Sequence, residues 1–209
     1  MANNKFASSR SLGAYHISNN TVEYNPQRKS NFTLIISGLP TALEQKYGKG
    51  NIPRVGSNEA DTTNVISNWQ NEIIIALKEC DVPGFSQSKI EIKRGNSTIK
   101  FPGKPEFKDI NLSAYDFMGS NTKDALLAWQ QLSYNSQGDF IGEKSTYKLD
   151  CTLYEYTPAG KEVRHWDIKG AWLSEVNIDS FSSEDDGVVT ISATMVYDWS
   201  EIALPDVEA

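Results

Sequence analysis

The sequence predicts a mainly β fold: several antiparallel strands in a β-sandwich or barrel, with one covering α-helix from about Thr122 to Tyr134. Stretches of apolar–polar alternation recur along the chain, and Pro, Gly and Asn turn signals separate them. Only one stretch carries a 3.6-residue period with capping residues at its start. A chain of 209 residues suits a single β core, and 39% hydrophobic with 11% aromatic residues is enough apolar material to fill one. One domain spanning residues 1–209 is therefore expected.

Taken in order, residues 1–30 are rich in Asn and Ser without a period and read as an N-terminal arm. Phe32 to Ser37 reads as a strand closed by Gly38-Leu39-Pro40. Residues 41–68 lose all periodicity and carry Gly48, Gly50, Pro53 and Gly56; so long a loop in a compact domain is usually functional. Trp69 to Val82 reads as a strand, with Trp69, Ile73, Ile75 and Leu77 on one face and Glu72, Ile74, Lys78 and Cys80 on the other. Lys89 to Lys93 alternates strictly, turns at Gly95-Asn96 and returns through Ile99 and Phe101 as a hairpin whose charged side reads as a solvated face.

In the helix, Ala125, Ala128, Trp129 and Leu132 fall at i, i+3, i+4 and i+7, a stripe for core packing. Asn121 or Thr122 can cap it, and Asp124 suits the positive end of its dipole. Beyond a Gly138 to Gly142 loop, Tyr147, Leu149, Cys151 and Leu153 alternate with polar residues. A turn at Thr157 to Gly160 folds the chain back into Lys161 to Ile168. The acidic loop Ser182 to Gly187 precedes a last strand with Val189, Ile191, Ala193, Met195, Tyr197 and Trp199 on one side, and residues 199–209 form a C-terminal tail.

The chemistry of enzymes is missing from this pattern. His16 and His165 are the two histidines, and His165 shares a face with Asp167, which reads as a satisfied pair. No nucleophile elbow and no phosphate-cradling glycine loop occurs, so no catalytic residue and no cofactor is assigned. Glu184, Asp185 and Asp186 lack the alternating oxygen spacing of a calcium loop, and no metal site is assigned. Cys80 and Cys151 lie far apart inside strand-like stretches and read as small buried hydrophobes. A net charge of −7 argues against holding nucleic acid by its phosphates, since that affinity comes from Lys and Arg. No run of about 18 apolar residues spans a membrane and no apolar leader opens the chain, so a cytoplasmic origin is expected. What remains is a β-rich building block that works by self-assembly.

The run Leu126-Leu127-Ala128-Trp129, the Gly138 to Gly142 loop, Leu153-Tyr154, Arg164-His165-Trp166 and Lys169-Gly170-Ala171-Trp172 occur in a familiar order. So do the strand ending in Gly38-Leu39-Pro40, the turn Val82-Pro83-Gly84-Phe85, residues 173–178 and the strand into Tyr197-Asp198. Over residues 31–201 this ordered set resembles the tail tube protein of contractile-tailed bacteriophages, with its Hcp-like tube fold. The resemblance implies two antiparallel sheets forming a split β-barrel or sandwich with one flanking α-helix, assembled as stacked homohexameric rings inside a tail sheath and joined to baseplate and tail-terminator proteins. It also implies a lumen for tape-measure protein and DNA without specific binding, a place in the virion tail after assembly in the host cytoplasm, no membrane and no catalysis.

Six copies of a −7 chain carry −42 around such a ring, a charge that would keep duplex DNA from adhering. At a Debye length of about 8 Å this repulsion acts only near the wall. For contacts between rings, the expected anchors are Tyr47, Ile52 and Val55 in the 41–68 loop, with Trp199, Ile202 and Leu204 from the C-terminal tail. Strands with open edges are expected to pair across subunits. Two other readings stand beside this one: the tube of a type VI secretion or extracellular contractile injection system, and a monomeric β-barrel that binds a small ligand.

Overall fold

The computed structural model describes residues 27–39, 41–43, 65–117, 122–136, 138–181 and 186–204. In chain order the elements are β1 (Phe32–Ser37), α1 (Val65–Ala76), β2 (Leu77–Cys80), β3 (Phe85–Arg94), β4 (Ser97–Phe107), β5 (Ile110–Tyr115) and α2 (Thr122–Ser133). There follow β6 (Tyr134–Asn135), β7 (Phe140–Ile141), α3 (Lys144–Tyr147), β8 (Leu149–Tyr156), β9 (Glu162–Ile178), β10 (Thr190–Val196) and β11 (Trp199–Ala203).

Seven strands form two antiparallel sheets that share β9. The first half of β9 pairs with β8 and β11, and β8 pairs with β1. Its second half pairs with β10, which leads through β5 to β2. The chain passes from one sheet to the other at Gly170, whose φ of +68° lies in the left-handed region that glycine adopts without a steric penalty. Opposite this bend the β8–β9 register slips between Leu149 and Cys151, a bulge that lets one strand serve both sheets. The strand path ends at β1 and β2, which do not pair, so the barrel is split and not closed. Gln27 to Phe32 and Lys78 to Val82 line the cleft between those two strands.

Alternation becomes burial throughout this body. Leu34 and Ile36 of β1, Leu149, Cys151 and Leu153 of β8, and Ile191, Ala193 and Met195 of β10 all enter one core. The α2 stripe, Ala125, Ala128, Trp129 and Leu132, is buried, and α2 packs against β9. Trp129 is fully enclosed, and its indole Nε1 donates a hydrogen bond to the Tyr147 carbonyl at 3.0 Å, so a large ring enters the core without an orphaned donor.

The structure corrects the reading of residues 69–82. They are not one strand but the end of α1 followed by β2, so more than one helix flanks the sheets. Three consecutive isoleucines have the β-branched character of a strand, but only Ile73 is buried, Ile74 is half-buried, and Ile75 is 72% exposed. Burial at Ile73 and Ala76 follows helical spacing, and tertiary packing overrides local propensity. Residues 41–43 and 65–68 of the expected loop are also helical, and 44–64 lie outside the described residues. Trp199 leaves the face it was expected to share with Tyr197, because the chain turns at Asp198 and enters β11.

Candidate assembly surfaces

The β3–β4 hairpin is the described region that its own chain does least to cover. Its base is fixed: Gly84 N–H donates to the Tyr197 hydroxyl at 3.2 Å, and that hydroxyl donates to the Gly84 carbonyl at 3.1 Å. Phe107 packs between Phe85 and Tyr197, with ring centroids 5.9 and 5.7 Å away. Every residue of β3 is nonetheless exposed.

The direction of the apolar side chains follows from the pleat. Phe85 stands opposite Phe107, and by strand alternation Gln87, Lys89, Glu91 and Lys93 share its side of the hairpin while Ile90 and Ile92 take the other. Ile90 stands opposite Phe101 and Ile92 opposite Ile99. These four form an apolar patch, 40–54% exposed, that the molecule's own core does not cover. A bulge between Gln87 and Lys89 gives the hairpin its extra twist. At this bulge a Cβ on Gly103 would strike the Ser88 side chain and lie 2.8 Å from its carbonyl oxygen.

Charge separates the hairpin from the body. Residues 85–107 hold five Lys or Arg and two Glu, net +3, so the rest of the −7 chain carries −10. A basic arm with an apolar face on an acidic body has the complementarity for contact between copies of one chain.

The expected stacking residues divide. Trp199 and Ile202 lie on β11, which pairs only with β9 among the described residues, and Leu204 follows it; all three are exposed. Tyr47, Ile52 and Val55, like the acidic residues Glu184 and Asp185 and the cap candidate Asn121, lie outside the described residues. Exposed Phe140 and Ile141 on β7 add an apolar spot that sequence reasoning passed over.

Two charged features serve structure. His165 Nδ1 lies 2.6 Å from Glu162 Oε1, whereas Asp167 accepts from the Thr152 hydroxyl at 3.1 Å, so the expected His165–Asp167 pair is replaced by two separate ones. Around the β9 bend, Lys148 Nζ reaches both Asp198 oxygens at 2.6 and 2.8 Å, and Lys169 Nζ reaches Asp150 at 2.9 Å. The Gly170 N–H also donates to Asp150, at 3.2 Å. Burial pushes the Asp150 carboxyl up, but the Lys169 and Gly170 hydrogen bonds outweigh it and hold the group below its ordinary range. The same Asp150 contact raises the Lys169 ammonium above its own. Both cysteines are free; burial pushes Cys80 up to about 12 and Cys151 higher still, so neither thiol is activated. Among the described residues no cluster of His, Cys, Asp and Glu could hold a metal, and no helix is long and apolar enough to cross a membrane.

The family model for the T4-like virus tail tube protein gp19 matches residues 63–201. No curated protein sequence matches. Among solved structures, the anti-feeding prophage tube-terminating cap is similar with 16% identity and a TM-score of 0.56, over 90% of this chain and 97% of the other. A structure of the sheath/tube terminator of an extracellular contractile injection system gives 17% identity and a TM-score of 0.56, over 88% and 99%. A sheath-tube complex of such a system gives 16% and 0.54, over 95% and 99%.

Proposed function

We propose that this chain, which belongs to the T4-like virus tail tube protein gp19 family, is a structural subunit that stacks as hexameric rings into the tube of a phage tail. The tube sits inside a contractile sheath, between baseplate and terminator proteins, and passes tape-measure protein and DNA without holding either. The observation that supports this reading best is the apolar patch Ile90, Ile92, Ile99 and Phe101, which the chain's own core leaves uncovered. Its occupant is a second copy, because an arm of net +3 finds its complement on a body of net −10.

Covering the exposed halves of four such side chains is worth about 3–6 kcal/mol per subunit at roughly 1.5–3 kcal/mol for each full burial. One contact of that size is weak in solution. Repeated around a ring and along a stack, it becomes persistent through effective concentration. Trp199, Ile202 and Leu204 on and after β11, and Tyr47, Ile52 and Val55, are proposed as further anchors between rings.

Size-exclusion light scattering with negative-stain microscopy tests the reading. Rings and tubes are expected from the wild-type chain, and only small soluble species from Ile90→Asp/Ile92→Asp. A wild-type chain that stays monomeric across concentrations ends the proposal. A second reading, the tube of an extracellular contractile injection particle, is supported by the fold likeness to the injection-system structures. Finding DNA in the native particle decides for the phage tail.

A further inference from the structure

The first sheet has two outer strands, β1 and β11, and they are finished differently. Antiparallel pairing with β8 engages the backbone of alternate β1 residues and directs that of Leu34 and Ile36 away from the sheet. Gln70 of α1 meets both groups. The Ile36 N–H donates to Gln70 Oε1 at 3.2 Å, and Gln70 Nε2 donates to the Leu34 carbonyl at 3.3 Å. One primary amide thus reproduces the donor–acceptor pair that a neighbouring strand would present. It also ties α1 beside the edge.

The strand so covered reads Phe32-Thr33-Leu34-Ile35-Ile36-Ser37, six residues without charge, proline or glycine. Segments of that composition template indiscriminate pairing when their edge is open. On the other outer strand, β11, the edge is bordered by exposed Trp199 and Ile202 and by Glu201, a different chemistry.

We propose that Gln70 is a specificity-determining residue for self-assembly, its amide sealing the β1 edge against the β1 strand of a second copy. A ring needs a head-to-tail contact between unlike surfaces. Two open β1 edges would instead pair with each other about a two-fold axis and divert subunits into dimers or irregular aggregates. The choice of partner rests on the self-assembly reading, but the test does not require tubes.

The probe is a lysine-flanked peptide spanning Phe32–Ser37, offered to the free wild-type chain and to Gln70→Leu, which fills similar space without hydrogen bonds. Wild type is expected to take up no peptide. Gln70→Leu is expected to bind it roughly tenfold more strongly or better, since two backbone groups are released to a competing strand, and to show faster exchange of the Ile36 amide. Adding Ile35→Lys to Gln70→Leu is expected to abolish uptake, because a charge on an edge strand resists pairing. Uptake by wild type equal to that of the variant overturns the proposal, as does a Gln70→Leu chain that binds no peptide and keeps Ile36 protected. Should Gln70→Leu not fold, Gln70→Glu takes its place. It keeps an acceptor for Ile36 and loses the donor to Leu34, so partial uptake supports the proposal and none overturns it. Failure of the wild type to form tubes would end the functional reading and leave the peptide result standing.

Discussion

In the seven-stranded body, alternation along β1, β8 and β10 is resolved by burial, with Leu34, Leu153 and Met195 each no more than 2% exposed. In β3–β4 the same alternation meets nothing: Ile90 and Ile92 are as regularly spaced, yet 54% and 53% exposed. A two-stranded hairpin is at best marginally stable alone in water. This one is held at its base by Tyr197 and Phe107, and an unfilled apolar face continues beyond that anchor. The body finishes its own structure, whereas the hairpin, on the proposed reading, is completed by a neighbour.

Substitutions should separate the two regions by the quantity they change. Trp129→Ala removes the largest fully buried side chain among the described residues and is expected to cost about 3–5 kcal/mol in urea denaturation of the free subunit. Gly170→Ala combines a positive φ with a Cβ that would strike the Asp198 carboxylate, and about 1–3 kcal/mol is expected from the same measurement. Ile90→Asp/Ile92→Asp should change that stability by only about 0.5 kcal/mol per site while abolishing tubes, because neither side chain belongs to the core. A loss as large as that of Trp129→Ala would place the hairpin inside the folding unit and break the distinction.

The smallest effect is electrostatic. Asp150 is held below its ordinary range, so its contribution is present above about pH 4 and fades as pH falls through the lowered value. Lys169 is raised, so its part is present below about pH 10.4 and is lost as pH climbs through the raised value. Both groups are largely exposed, and the pair should be worth only about 0.2–1 kcal/mol. Asp150→Asn should flatten the acid limb of the stability profile by that amount, measured by thermal melts between pH 3 and 7.

Strands with one wet face were readable because alternation and burial agree in β1, β8 and β10, and the α2 stripe was readable for the same reason at helical period. The Ile73-Ile74-Ile75 run misled because a β-branched triplet carries the same residues whether one or all are buried. β5 was passed over although Ile110, Leu112 and Ala114 alternate with polar residues and are buried; six residues between Asp109 and Asp116 gave a short signal. The whole length of β9 could not be read, since Gly170 looks like a strand end until its φ shows the chain continuing into the second sheet. The charged side of the hairpin was visible in Lys89, Glu91 and Lys93. That the opposite, apolar side is left uncovered is a tertiary fact that no local pattern contains.

Hydrogen–deuterium exchange on the free and the assembled chain tests the contrast most directly. The account predicts that amides of β3 and β4 exchange quickly in the free subunit and become protected on assembly, while those of β8, β9 and β10 are protected in both. Hairpin amides that remain as labile in finished tubes as in the free chain would contradict it.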